Sequence, residues 1–464
     1  MDGLWSHQAQ EAEDLSPARA LFWEQGTGKT RTSCEIVRRL FAQGRIDGAL
    51  VIMPNGLEKQ WKKEFEDMGM QAHIAKSSGK RDRFIFDALE FMRMPIMLTT
   101  YSFCATRESG RSELSGLDRL KRTFAGKRII IILDESSKIK SLRSRQSVAV
   151  RELGKIAEYR RILDGTPVDT SPVDLFTQLS FLDHGILSSW GVGSSTAFKS
   201  MFFKSKKVYT SRRSWRTRYL EAKNLHLLTR MLETCSSRYR ISDIMDLPPK
   251  LYSILPFELP AEQRRDYDKL EEELMLMNED FTEMVLAEQP IVLAIRLAQV
   301  SCGFVGLHDG GVKIYKQNPR LENAAKRLND SNEQWIVWTR FIRDVNNLLD
   351  VLGEDAVRYD GQVDAKTKEE NLDTFKAGGV KILLANTQAL AFGHNLQHCW
   401  NNLYYSYTGS LRLRRQSEAR TSRPGQDRTV TYATLEAEDT IDRIFLDRQL
   451  NRKDIARQVM QDKD

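Results

Sequence analysis

Short apolar runs alternate with longer amphipathic stretches along this chain, the pattern of parallel strands joined by helices. The short runs 49–53 (ALVIM), 95–100 (PIMLTT), 128–134 (RIIIILD) and 159–165 (YRRILDG) stand out in the first part of the chain. They predict strands buried on both faces of a first α/β unit. A second series follows much later, at 334–339 (QWIVWT), 357–361 (VRYDG), 380–386 (VKILLAN), 402–407 (NLYYSY) and 429–435 (TVTYATL). Between the two, from about 172 to 315, helical spacing dominates, and DLPPK (246–250) is the clearest breaker and the expected linker. The expectation is an α/β chain of two tandem parallel-sheet units with helical insertions between them.

Length agrees, because 464 residues exceed what one hydrophobic core usually supports. Lys and Arg exceed Asp and Glu by 70 to 63, a net +7 compatible with a polyanionic partner. Five scattered cysteines form no CxxC pair, which argues against structural zinc and a disulfide framework and fits reduced, cytoplasmic thiols. No apolar run approaches the roughly 18 residues of a membrane span, and the N-terminal residues lack a signal-peptide pattern. The expected protein is soluble, and a monomer is expected because two such α/β units in one chain need no symmetry partner.

The segment 20–40 places an apolar run before GTGKT and an amphipathic helix after it, the strand, loop and helix that cradle a phosphate. Gly26, Thr27 and Gly28 would close backbone N–H groups around phosphate oxygens. Lys29 would reach the terminal phosphates, and Thr30 would hold Mg2+. The strict loop pattern wants glycine at position 23, where this chain has Trp23. The run IIIILDESS (129–137) ends a buried strand in two carboxylates, which core packing alone does not favour. A metal ion explains them: Asp134 would orient Mg2+ through water, and Glu135 would polarise the water that attacks the γ-phosphate. Together the two motifs predict an enzyme that hydrolyses a nucleoside triphosphate.

Two further stretches carry charge in a pattern. Residues 201–220 hold seven Lys or Arg, among them Arg212, Arg213 and Arg216, interleaved with aromatics and no acid, as a DNA-contacting patch would. In QSEARTSRPGQ (416–426), Arg420 and Arg423 are three residues apart and share a face if the stretch is helical.

The order and spacing of further motifs resemble superfamily 2 helicases, most closely the Snf2-like translocases on double-stranded DNA. LWSHQ (4–8) is similar to the entry motif whose glutamine, here Gln8, recognises adenine. VIMPNGLEKQWKKEF (51–65) resembles the segment that contacts nucleic acid, with Trp61 as its tryptophan, and MLTTYS (97–102) its next strand-and-threonine element, with Thr100. LDGTPVDTSPVDLF (163–176) resembles motif III, where Gly165, Thr166 and Pro167 would couple hydrolysis to movement of the units. ALAFGHNLQ (389–397) resembles motif V, with Gly393, Asn395 and Gln397. The stretch 416–426 fits motif VI, QxxxRxxRxGQ, with Gln416 toward the nucleotide and Arg420 and Arg423 as arginine fingers supplied within one chain. Ser136 and Ser137 stand where the family has Ala and His, which puts the usual contact between motifs II and III in question.

The resemblance implies two RecA-like lobes, at 1–171 and 316–436. It also implies a helical insertion of the first lobe with the basic patch at 172–245, a linker and second helical insertion at 246–315, and a bracing helix at 437–464. The implied function is an ATP- and Mg2+-dependent motor on duplex, forked or branched DNA, in a bacterial or phage-infected cell, serving replication, recombination or repair. A strand-separating DNA or RNA helicase and an ATP-gated nucleic-acid binder are the other readings.

Overall fold

The computed structural model describes residues 3–76, 80–92, 95–106, 114–169, 171–211, 214–279, 289–307, 310–390 and 394–460. The chain divides into two compact units. One comprises residues 1–204, 219–246 and 454–464, the other residues 205–218 and 247–453.

In the first unit, the strands β1 (Ala18–Leu21), β2 (Gly48–Met53), β4 (Ile96–Thr100), β5 (Ile129–Asp134) and β6 (Tyr159–Leu163) fall on or beside the predicted apolar runs, and the two-residue β3 (His73–Ile74) was not predicted. Every residue of β2 and β5 is buried, as expected where helices cover both faces of a parallel sheet. The strands β7 (Phe203–Ser211) and β8 (Ser214–Ala222) form a separate two-stranded sheet most of whose residues, 205–218, belong to the second unit, while β9 (Ser236–Ser237) completes the large sheet. That large sheet is parallel throughout, in the order β3-β4-β2-β5-β6-β1-β9. Its order sets β5, β6 and β1 side by side, so the segments that follow them emerge together at the carboxyl edge, where open α/β sheets bind ligands.

The span 172–245 was expected to be a helical insertion, and β7 and β8 correct part of it. Val208, Tyr209, Thr210, Trp215, Thr217 and Tyr219 are β-branched or aromatic and favour a pleated ribbon over a helix. Helices Asp174–Leu182, Ser195–Phe202 and Leu225–Glu233 flank the ribbon.

Beyond the ribbon, the second unit begins with β10 (Lys250–Phe257), continues through the antiparallel pair β11 (Phe304–Gly306) and β12 (Val312–Ile314), and proceeds to β13 (Trp335–Thr339), β14 (Ala356–Tyr359), β15 (Ile382–Asn386), β16 (Asn401–Tyr404) and β17 (Val430–Ala437). The parallel sheet runs β10-β17-β16-β13-β15-β14. Residues 250–257, read from sequence as part of a linker and helical insertion, are thus an edge strand of this sheet. Leu251, Tyr252 and Ile254 are each about half exposed, and the segment lacks the continuous apolar run that marks the central strands.

A buried cation pins the second sheet to its helices. The Arg320 side chain is fully buried and donates from Nε to the carbonyl of Ser301 at 2.9 Å, from Nη1 to the carbonyl of Tyr405, and from Nη2 to Asp442. Breaking a buried pair of this kind costs about 3–5 kcal/mol, because the remaining charge is left uncompensated. Nearby, the buried Asp344 carboxyl accepts from Ser406 Oγ at 2.5 Å and from the Phe341 amide at 3.4 Å, while its Oδ1 has no hydrogen-bond partner. Burial is the main cause that pushes it from 3.8 up to about 7, against the pull of Ser406 and Arg320. The folded-state value lies above the unfolded one, so the stability held by the neutral form is full below the ordinary carboxylate range and is lost as pH rises through about 7. Asp344→Asn, whose amide oxygen can keep both donors, is expected to flatten the fall in melting temperature between about pH 5 and about pH 8. Parallel wild-type and variant melts check this.

Candidate functional site

The loop between β1 and helix Lys29–Ala42 builds the first part of the site. Gly26 and Gly28 adopt φ of 86° and 87°, left-handed values that cost glycine little, and Gly28 caps the helix directly ahead of Lys29 and Thr30. Thr27 is buried, and its hydroxyl donates to the Glu24 carbonyl at 2.8 Å. Lys29 Nζ folds back on the loop and donates to the carbonyls of Trp23 at 2.7 Å and Glu24 at 2.9 Å. Burial lowers the affinity of this amine for its proton, while the charges of Glu135, Asp134 and Asp164 raise it.

Trp23, where the strict pattern has glycine, takes no space from the loop. Its indole is fully buried, donates from Nε1 to Ser237 Oγ at 2.8 Å, and packs edge-on against Tyr239, with His7 on another side. It ties the start of the loop to the chain following β9.

Gln8 lies on helix Ser6–Glu11, buried, with Nε2 donating to the Thr27 carbonyl at 3.1 Å and Oε1 accepting from the Trp5 amide at 3.0 Å. A Cβ at position 28 would fall 1.9 Å from Gln8 Nε2. Gly28 is therefore required twice, by its φ and by the glutamine laid across it.

Beyond β5, Asp134 accepts from the Trp61 indole Nε1 at 2.8 Å through Oδ2 and from the Glu135 amide at 2.9 Å through Oδ1. Burial raises its pKa, and Trp61, Lys29 and the Glu135 amide oppose that rise. Glu135 is 7% exposed and holds φ 52°, ψ 54°, a left-handed backbone uncommon for a residue with a side chain. Trp61 and Thr100 are 1% and 2% exposed. The Trp61 ring binds Asp134, and Thr100 Oγ1 caps helix Tyr101–Cys104 by accepting from the Phe103 amide at 3.3 Å. Neither side chain offers the surface contact with nucleic acid that the sequence suggested for this region. Both face inward, where Trp61 connects helix Glu58–Asp67 to Asp134.

The segment after β6 lies between these two parts. Asp164 is fully buried and accepts from the amides of Ser137 at 2.8 Å and Thr166 at 2.7 Å. Gln178 Nε2 donates to the carbonyls of Pro167 at 2.9 Å and Asp174 at 2.8 Å, and its Oε1 accepts from Ser136 Oγ at 2.7 Å. Motifs II and III are therefore joined despite Ser136 and Ser137, through Asp164 and Gln178. Sequence reasoning passed over both. Asp164 carried the same signal as Asp134, a carboxylate ending a buried strand, whereas Gln178 sits in a helix where a polar residue looks like part of a solvent face.

In the second unit the motif V loop is clasped to helix Leu411–Thr421 and the turn after it. Arg420 donates from Nε to the Gln416 carbonyl at 3.1 Å and from Nη1 to the His394 carbonyl at 3.3 Å. Arg423 reaches Asn395 Oδ1, and Gln426 Nε2 donates to the Gln397 carbonyl at 2.8 Å. Arg420 and Gln416 are buried. Gly393, Arg212 and Arg213 lie outside the described residues; Arg216 is in β8, and its side chain is likewise outside the description.

The first unit also fits a polar guest. Gln25 Nε2, Ser137 Oγ and Thr166 Oγ1 are buried there without hydrogen-bond partners, and Gln25 lies against Gly165. Among the described residues no cluster of three or more His, Cys, Asp or Glu could by itself hold a metal.

An α/β chain with a phosphate loop, paired carboxylates and an arginine helix defines a nucleotide hydrolase of the helicase type. The SNF2-related domain family matches residues 14–303, and the helicase conserved C-terminal domain matches residues 319–425. The chain belongs to the SNF2-related family and is an ATP-dependent ATPase of the helicase class. It is 23% identical to the DNA repair and recombination protein RAD54B of Gallus gallus, across 94% of this chain and 51% of that protein. It is 22% identical to the ATP-dependent helicase YqhH of Bacillus subtilis, across 95% and 76%, and 24% identical to protein p41 of Acyrthosiphon pisum secondary endosymbiont phage 1, across 70% of each. The chain thus spans about half the length of the avian relative. Among solved structures, the Sulfolobus solfataricus SWI2/SNF2 ATPase core in complex with dsDNA is 19% identical, with a TM-score of 0.42, covering 99% of this chain and 94% of that one. Among the described residues, no helix is long and apolar enough to cross a membrane.

Proposed function

We propose that the chain is a DNA-stimulated motor that uses ATP and Mg2+ to move on duplex or branched DNA. The observation that carries this reading is the convergence of Lys29, Asp134, Glu135 and Asp164 at the carboxyl edge of one sheet in an SNF2-related chain. Lys29 and the amides of Gly26, Thr27 and Gly28 hold the phosphates, while Gln8 reads the base. Thr30 and Asp134 hold Mg2+, which when bound offsets phosphate charge. Trp61 and the Glu135 amide fix the Asp134 carboxylate, and Glu135 directs the attacking water. Arg420 and Arg423 counter charge on the transferred phosphoryl group. Gly165, Thr166 and Pro167 carry the change in the site to the rest of the chain.

Three facts support DNA as the track: the net +7, the basic and aromatic residues of β7 and β8, and relatives that include a DNA repair and recombination protein. A role in recombination or repair, inside a bacterial or phage-infected cell, fits the relatives from a bacterium and a phage. The test compares ATP turnover with duplex DNA, forked DNA, single strands and RNA; duplex or forked DNA is expected to stimulate most, and equal stimulation by RNA would contradict the proposal. Replacing Arg212, Arg213 and Arg216 together by Glu should weaken the stimulation. It should also flatten the dependence of DNA affinity on salt by about 0.9 in log–log slope per lost phosphate contact. An unchanged slope would remove these residues from the interface.

A further inference from the structure

We infer that Gln178 is a positioning residue for hydrolysis, transmitting between the water-directing segment at Glu135 and the loop Gly165–Pro167. The inference rests on the ATP site proposed above and assigns a part in it to a residue outside the motifs read from the sequence.

Gln178 is fully buried on helix Asp174–Leu182. A buried amide needs its donors and its acceptor satisfied, and here each partner lies at a defined place. The acceptor holds the hydroxyl of Ser136, the residue directly after Glu135, and the donors hold the carbonyl of Pro167 and that of Asp174 in the same helix. The amide therefore spans two loops that follow different strands, and its third bond anchors it to a rigid element. Asp164 runs alongside with a carboxylate, binding the amide of Ser137 on one side and that of Thr166 on the other.

The geometry matters because Glu135 sits in a left-handed conformation that its surroundings must maintain. The bond from Ser136 Oγ to Gln178 acts one residue away from that backbone. A carboxylate that directs water tolerates little displacement, since about 1 Å of misplacement can cost roughly a hundredfold in rate. The same bond gives Pro167 a mechanical link to the reacting end of the site, so a shift at Glu135 is felt at the motif III loop. The bland alternative is that Gln178 only satisfies buried polar groups and stabilises the fold.

The experiment separates the two. Ser136→Ala removes one hydroxyl and leaves Gln178 packed; Ser136→Thr keeps a hydroxyl; Gln178→Leu removes the amide at similar size. Steady-state ATP turnover is measured for each on duplex DNA and without DNA, together with melting temperature. In Ser136→Ala, kcat is expected to fall roughly ten- to a hundredfold with KM for ATP close to wild type and melting temperature only modestly lowered, as the buried Gln178 acceptor loses its donor. Ser136→Thr should recover most of the loss. The double variant Ser136→Ala, Gln178→Leu should turn over no more slowly than Gln178→Leu alone, because both remove one connection. Wild-type kcat in Ser136→Ala, or losses that multiply in the double variant, would overturn the inference. If DNA fails to stimulate even the wild type, the motor reading fails instead, and the Gln178 result is still read from turnover without DNA.

Discussion

Glu135→Gln is expected to bind ATP as the wild type does and to hydrolyse it roughly 10²–10⁴-fold more slowly, the range by which a positioned general base accelerates a reaction. Glutamine keeps the size of the side chain and, with it, the left-handed backbone that the neighbouring bonds enforce. The Glu135 amide would still donate to Asp134 Oδ1, so the metal-holding carboxylate stays fixed. What is lost is the ability to accept a proton from water. Fluorescent-nucleotide binding and single-turnover hydrolysis measured on one preparation separate the two effects. Normal turnover in the variant would remove Glu135 from the chemistry.

Arg420→Ala should be nearly as severe, with hydrolysis slowed by roughly 10³–10⁵, the effect of an arginine finger, and ATP affinity affected much less. Its guanidinium is buried and held within the second unit. Bonds to the carbonyls of Gln416 and His394 hold two of its nitrogens and leave it oriented at small entropic cost. Lysine could not reproduce this fork, so Arg420→Lys is expected to recover little activity. Arg423 shares the same support through Asn395, which makes Asn395→Ala a milder version of the same defect. A charge-removing variant at 420 with full turnover would return the pair to a purely structural role.

The two sheets were legible because their central strands are continuous apolar runs that leave a parallel sheet as the only home for them. β10 and the pair β11 and β12 were not: β10 has no continuous apolar run and pairs with β17, far away in sequence, while β11 and β12 are three residues each, too short to carry a pattern. At the site, residues held by backbone demands could be found in the sequence: the loop glycines, Lys29, and the carboxylates ending β5. Gln178 and the inward turn of Trp61 could not. Their roles follow from which helix happens to pack over which strand end, and no spacing along one helix encodes that. Ser136 and Ser137 show the reverse case. The sequence suggested a broken contact, and the fold supplies it through different side chains.

The close approach of Gln8 to Gly28 has a bearing on redesign. The side chain proposed to select the base lies on the same glycine that shapes the phosphate cradle and also bonds to the Thr27 carbonyl within it. A bulkier or branched residue at position 8, chosen to admit a different purine, would press on that loop and alter phosphate binding along with base preference.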